Sequence, residues 1–120
     1  MSDSSLSLGR LGESAAVVYL KSQNFHILDR NVHLAIGEID IIASKGPILY
    51  FMEVKTRKNT VSGNPYEAVD ARKAKKLILM GEKYSLQKKL NHSKLALGVV
   101  SVLVSQDNKV TSIKLYDYFI

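Results

Sequence analysis

The 120-residue chain has no cysteine, which excludes a disulfide framework and any thiolate-bound zinc. No apolar run approaches the ~18 residues that a membrane-spanning helix needs. The opening Met1-Ser2-Asp3-Ser4-Ser5 lacks the basic segment and apolar stretch of a secretory signal. No glycine-rich stretch ends in Gly-Lys-Ser/Thr, so a P-loop is ruled out. His26 and His33 are not spaced as a zinc pair with acidic support, and His92 reads as a solvated loop residue. These absences leave a soluble, cytoplasmic protein as the expectation. A chain of this length makes one domain, residues 6–120, behind a polar tail at 1–5 expected to be disordered.

What the chain does have is positive charge, unevenly placed. The formal net charge is +6, but residues 1–54 carry −2 and residues 55–94 carry +8. A basic middle behind an acidic half suits a polyanion, whose phosphates are neutralised with release of counterions. A solvated basic helix face would look the same in sequence.

Periodicity supplies the elements. Leu8, Leu11, Ala15, Val18 and Tyr19 recur at helical spacing between Leu6 and about Gln23, where Asn24 ends the helix. Gly9 and Gly12 each weaken a helix interior by roughly 1 kcal/mol relative to alanine, unless they allow another backbone to approach closely. Phe25 to Ala35 reads as a strand bent near Asp29-Arg30-Asn31. Residues 37–57 read as two strands joined at Ser44-Lys45-Gly46-Pro47. A polar loop from Lys58 to Pro65 leads to a long helix from Tyr66 to about Lys89. Its apolar stripe is Ala68, Val69, Ala71, Ala74, Leu77, Ile78, Gly81 and Tyr84. Pro65 suits a helix start and Glu67 the positive end of its dipole. Leu95 to Ser105 is a near-continuous apolar run, as for a strand buried on both faces, and a turn at Gln106–Lys109 precedes a last strand from Val110 to Tyr116.

The hairpin carries the chemistry. Side chains alternate along a strand, so Glu38, Asp40 and Ile42 share one face, and Leu49, Phe51, Glu53, Lys55 and Arg57 share one face of the next. Pairing Ser44 with Pro47 sets Asp40 opposite Phe51, whereas pairing Ser44 with Leu49 sets it opposite Glu53. Either register leaves Asp40, Glu53 and Lys55 on one side of the sheet. Two carboxylates that close repel unless a cation lies between them, and Mg²⁺, which takes hard oxygen ligands and keeps waters, fits. An exposed sheet face with Glu–Lys pairing is the bland alternative.

Asp40 followed, after a gap of a dozen residues, by Glu53-Val54-Lys55 resembles the PD-(D/E)XK nuclease signature. With Gly37-Glu38-Ile39-Asp40 and Glu53-Val54-Lys55-Thr56-Arg57 the resemblance narrows to the small bacterial YraN-like (UPF0102) family, which is similar to archaeal Holliday-junction resolvases. Ile27-Leu28-Asp29-Arg30-Asn31, Gly63-Asn64-Pro65 and Glu67-Ala68-Val69 match as well. His33 stands where the family often has a basic residue, and Gly98 where it usually has an aspartate. The resemblance covers Leu8 to Ile120. It implies a restriction-endonuclease-like α/β fold: a central mixed five-stranded sheet flanked by helices, in the order αβββαββ.

The resemblance also implies roles. Asp40, Glu53 and the Val54 carbonyl would ligate Mg²⁺ or Mn²⁺, Lys55 would orient or deprotonate the attacking water, and Glu13 on the first helix would support the metal. Arg57, Lys58, Arg72, Lys73 and Lys76 are the expected phosphate contacts. The expected activity is metal-dependent hydrolysis of DNA, on branched or repair intermediates, by a homodimer by analogy with resolvases. A non-catalytic nucleic-acid-binding accessory of the same fold and a purely structural interaction protein stay open beside it.

Overall fold

The computed structural model describes residues 2–59, 71–91 and 94–119. Its elements are α1 (Ser2–Ser22), β1 (His26–Leu34), β2 (Gly37–Lys45), β3 (Ile48–Lys58), α2 (Ala71–Lys88), β4 (Lys94–Val104) and β5 (Val110–Phe119). The order αβββαββ is the expected one. One five-stranded sheet runs β1-β2-β3-β4-β5; β3 and β4 are parallel and the other pairs antiparallel. The polar loop's residues 60–65, the matched Gly63-Asn64-Pro65 and Glu67-Ala68-Val69, the expected start of the long helix, and His92 lie outside the described residues. None of the described helices is long and apolar enough to cross a membrane.

The first helix begins earlier than its apolar spacing suggests. Residues 2–5, expected as a disordered tail, have helical backbone, and serine and aspartate are well suited to a helix start. Its far end closes as expected at Asn24, which adopts a left-handed conformation (φ 69°). Phe25 N–H donates to Leu20 O and Asn24 N–H to Lys21 O, the paired bonds of a Schellman ending. Phe25 and Leu20 are both buried, so the cap also turns the chain into the core.

The two helices cover opposite faces of the sheet. Ala16, Val17 and Leu20 of α1 pack with Ile41, Ala43, Tyr50, Val100, Val102 and Val104. Leu77, Met80 and Tyr84 of α2 pack with Ile42, Leu49, Phe51 and Leu97. Ala71, expected in the α2 stripe, is exposed, and Met80 takes a buried place there instead. β4 is buried along both faces, as its apolar run requires of a strand between two layers. In β1 a bulge between Ile27 and Asp29 shifts the register by one residue, close to the expected bend. Asp29 Oδ2 there accepts a 3.0 Å hydrogen bond from the Tyr84 hydroxyl of α2. That bond and burial push the Tyr84 phenol up to about 12, burial being the larger cause.

Both helices approach the sheet through glycines. A Cβ on Gly12 would lie 1.7 Å from Thr56 Oγ1, and one on Gly81 would lie 2.3 Å from the Phe51 ring. Gly9 has nothing within 4 Å of its Cβ position. The two glycines of α1 therefore differ in sign. Gly9→Ala should stabilise the protein by about 1 kcal/mol through helix propensity. Gly12→Ala should destabilise it by about 1–2 kcal/mol, because overpacking against β3 outweighs the same propensity gain. Urea denaturation of the two variants beside the parent checks both signs.

Candidate active site

The sheet forks where the acids stand. β2 stays paired with β1 as far as Gly37, and β3 stays paired with β4 as far as Lys58, but β2–β3 pairing ends at Ile41↔Met52. The register is Ser44↔Leu49 with a two-residue turn, which sets Asp40 across from Glu53 just past the last paired residues. There a side chain replaces the main chain: Asp40 Oδ2 accepts a 2.8 Å hydrogen bond from Val54 N–H. Val54 thus contributes its N–H to the site, in addition to any part its carbonyl plays.

A cleft of about 460 Å³ opens over this fork and is walled by α2. Glu38, Asp40 and Glu53 line it from the sheet, Arg72, Lys73 and Lys76 from the helix, and Met52, Leu77 and Met80 supply its apolar surface. Glu53 is well enclosed, its side chain 15% exposed. Its Oε1 is met by Lys73 Nζ at 2.5 Å and by Lys55 Nζ at 3.2 Å. Its Oε2 is buried and has no hydrogen-bond partner among the described residues.

Burial raises the Asp40 carboxyl above its ordinary value of 3.8; the Val54 N–H opposes the rise, and Glu13, Glu53 and Glu38 add to it. Glu13 sits on α1, yet its charge is felt at Asp40. Among the described residues no three His, Asp or Glu side chains converge tightly enough to hold an ion by themselves.

Asp40, Glu53, Lys55, Arg72, Lys73 and Lys76 are therefore gathered at one place, with Glu13 within electrostatic reach. Two expected phosphate contacts are not at the cleft. Lys58 points into the β4–β5 turn, donating to Ser105 O at 3.2 Å, to Gln106 O at 3.5 Å and to the Asn108 side chain. Its place follows from the parallel pairing of β3 with β4, which brings the end of β3 beside that turn. Arg57 lies one residue earlier, opposite Leu103 and half-buried. Glu38 was not singled out from sequence, although its two-residue offset from Asp40 put it on the same face. His33 Nδ1 lies 3.0 Å from Glu38 Oε1, an exposed pair at the cleft's edge. At Gly98 a Cβ would meet Met52 and Leu115, so apolar neighbours fill the space where a carboxylate would otherwise point.

A family model described as "Uncharacterised protein family UPF0102" matches residues 12–102. The chain belongs to UPF0102. A UPF0102 protein of Dictyoglomus thermophilum is 40% identical over 103 residues, covering 86% of this chain and 87% of its own. One from Paenarthrobacter aurescens is 44% identical over 96 residues (80% and 79%), and one from Clostridium tetani 38% over 108 (90% and 88%). The UPF0102 match spans Glu13, the forked hairpin, α2 and nearly all of β4, so every residue named at the cleft falls inside it.

Asp40 provides a sign test of the site's electrostatics. A carboxyl whose folded pKa is raised favours its protonated form, so its contribution to stability is present below pH 3.8 and is lost as pH rises through the raised value. At pH 7 the ionised carboxylate is therefore a cost. Asp40→Asn keeps an acceptor for the Val54 N–H and removes the charge. Thermal melts in chelator should show a higher melting temperature than the parent at pH 7, with the gap narrowing as pH falls toward 3.8.

Proposed function

We propose that this chain is a metal-dependent endonuclease that hydrolyses phosphodiester bonds in DNA, with branched or repair intermediates as the favoured substrates. The observation that carries this reading is the cleft itself: two carboxylates at a sheet fork, a lysine on one of them, and a basic helix wall facing both. The residues fit Mg²⁺ or Mn²⁺. Asp40 and Glu53 are hard oxygen donors, and Glu53 Oε2 is a buried acceptor with no hydrogen-bond partner among the described residues. Asp40, Glu53 and the Val54 carbonyl would hold the ion. When bound, it supplies Lewis acidity and offsets charge on the scissile phosphate.

The chain's own groups do the rest. The Val54 N–H fixes the Asp40 carboxylate in place. Lys55, projecting on the same side as Glu53, orients the attacking water and carries its proton. Glu13 adds negative potential from the other helix. Arg72, Lys73 and Lys76 neutralise phosphates of the strand in the cleft, which positions the DNA without reading its sequence. A homodimer would present two such clefts to a symmetric junction.

One observation favours the runner-up, a non-catalytic nucleic-acid-binding accessory. Lys55 and Lys73 already compensate Glu53, and the basic wall can grip phosphates without an ion.

A panel of labelled duplex, single-stranded, flap and four-way-junction DNAs, with Mg²⁺ or Mn²⁺, separates the two. Catalysis predicts metal-dependent products, lost in Asp40→Ala and reduced about a hundredfold or more in Lys55→Ala. Binding without cleavage, unaffected by chelator, would move the assignment to the accessory. In both cases Arg72→Gln or Lys76→Gln should lower the slope of log affinity against log salt by about 1.

A further inference from the structure

Glu53 is compensated from two directions, and the two lysines are not equivalent. Lys55 lies two residues along the same strand, so its reach to Glu53 is local. Lys73 comes from α2 across the cleft and makes the shorter contact, 2.5 Å against 3.2 Å. Both meet Oε1, while Oε2 stays buried without a hydrogen bond among the described residues. Asp40, Glu38 and Glu13 add negative charge to the same neighbourhood. Acids that close require a cation, and Lys73 supplies one from a separate element. Arg72 and Lys76 line the same wall but form no ion pair among the described residues; the Lys76 stem instead lies over Gly37.

We propose that Lys73 is an exchangeable cation, neutralising Glu53 until a divalent ion displaces it and then turning to a substrate phosphate. The proposal rests on the reading of Asp40 and Glu53 as metal ligands. It makes metal and nucleic acid mutually dependent. An ion alone must compete with an ammonium group already seated on its ligand. A phosphate backbone that draws Lys73 away removes that competition, so it raises metal affinity. By linkage, metal raises nucleic-acid affinity by the same factor. A simple phosphate-contacting lysine would give no such coupling, and its removal would leave the affinity for metal alone nearly unchanged.

The test is calorimetric titration of Mn²⁺ into the full chain, first alone and then with a saturating nuclease-resistant phosphorothioate duplex. Lys73→Gln is compared with the parent, with Lys76→Gln (the same charge loss on the same wall) and with Glu53→Gln. Lys73→Met, which keeps the aliphatic stem, repeats the measurement should the glutamine variant fail to fold. With Mn²⁺ alone, loss of Lys73 should tighten binding roughly tenfold, well beyond the Lys76→Gln shift, and Glu53→Gln should abolish it. The duplex should tighten Mn²⁺ binding to the parent by a clearly larger factor than to the Lys73 variants, in which only direct attraction between ion and phosphate couples the two. Equal shifts in Lys73→Gln and Lys76→Gln would reduce the effect to general charge and overturn the proposal. So would unchanged or weaker binding in Lys73→Gln while Glu53→Gln still abolishes it, which leaves the metal site standing. Absence of Mn²⁺ binding in the parent and both Lys73 variants would remove the metal reading and the proposal together.

Discussion

The hydrogen bond from Val54 N–H to Asp40 Oδ2 holds the sheet together at the point where it divides. Past Ile41↔Met52 the main chains of β2 and β3 no longer pair, so Val54 N–H needs another acceptor. A part-buried backbone donor left without one costs about 1–3 kcal/mol. The Asp40 carboxylate removes that cost, but it must then sit in the fork, desolvated and among other acids. The interaction that permits the fork therefore also creates the concentration of negative charge. Structure and chemistry draw on the same atom.

The helices convert the fork into a cleft. α2 can stand close over β3 because Gly81 presents no side chain to the Phe51 ring, and that approach brings Lys73 within reach of Glu53. Tyr84 then ties the other half of α2 to Asp29 in the bulge of β1, a bond contributing about 1 kcal/mol. α2 thus contacts both arms of the fork: β3 through Phe51, and the β1–β2 arm through Asp29. On the opposite face Gly12, the residue before Glu13, lets α1 settle against Thr56. That closeness is why a residue on the far helix contributes to the field at Asp40.

The alternation of side chains made much of this legible. Asp40, Glu53 and Lys55 fall on one side of the sheet in any register that differs by two residues, so their convergence did not depend on the turn. The register did: Gly46 and Pro47 form the whole turn, with Lys45 already paired to Ile48, and this sets Asp40 opposite Glu53. Asn24 and the apolar run of β4 were equally readable, because each signal is local. Lys58 was not. A basic residue beside the site looks like a phosphate contact, and only the parallel pairing of β3 with β4 sends it to the Ser105–Asn108 turn. The ion pair from Lys73 was beyond reach for the same reason. It depends on how closely α2 packs, which the missing side chain at Gly81 decides and helical periodicity does not. The α2 stripe expected from helical spacing takes in the small residue Ala71 and omits Met80, whereas the structure exposes the first and buries the second.

Net charge and local charge have opposite signs here, and distance decides which acts. The chain carries +6 overall, much of it on α2, where Lys75 and Lys83 face solvent. Ionic screening at physiological salt has a length of about 8 Å, so these outer lysines contribute little at the cleft floor beyond that range, while they still bias the approach of a polyanion. On the floor the carboxylates of Asp40 and Glu53 act on one another at short range in a partly desolvated setting, where screening is weak, and Glu38 adds to them from the cleft's exposed edge. A phosphate chain therefore meets an attractive rim and, deeper in, a repulsive floor. Its backbone can approach the acids only if positive charge lies between them. Lys55 and Lys73 are the side chains placed to supply that charge; in the proposed reading a divalent ion would be the alternative, leaving Lys73 available for the phosphate.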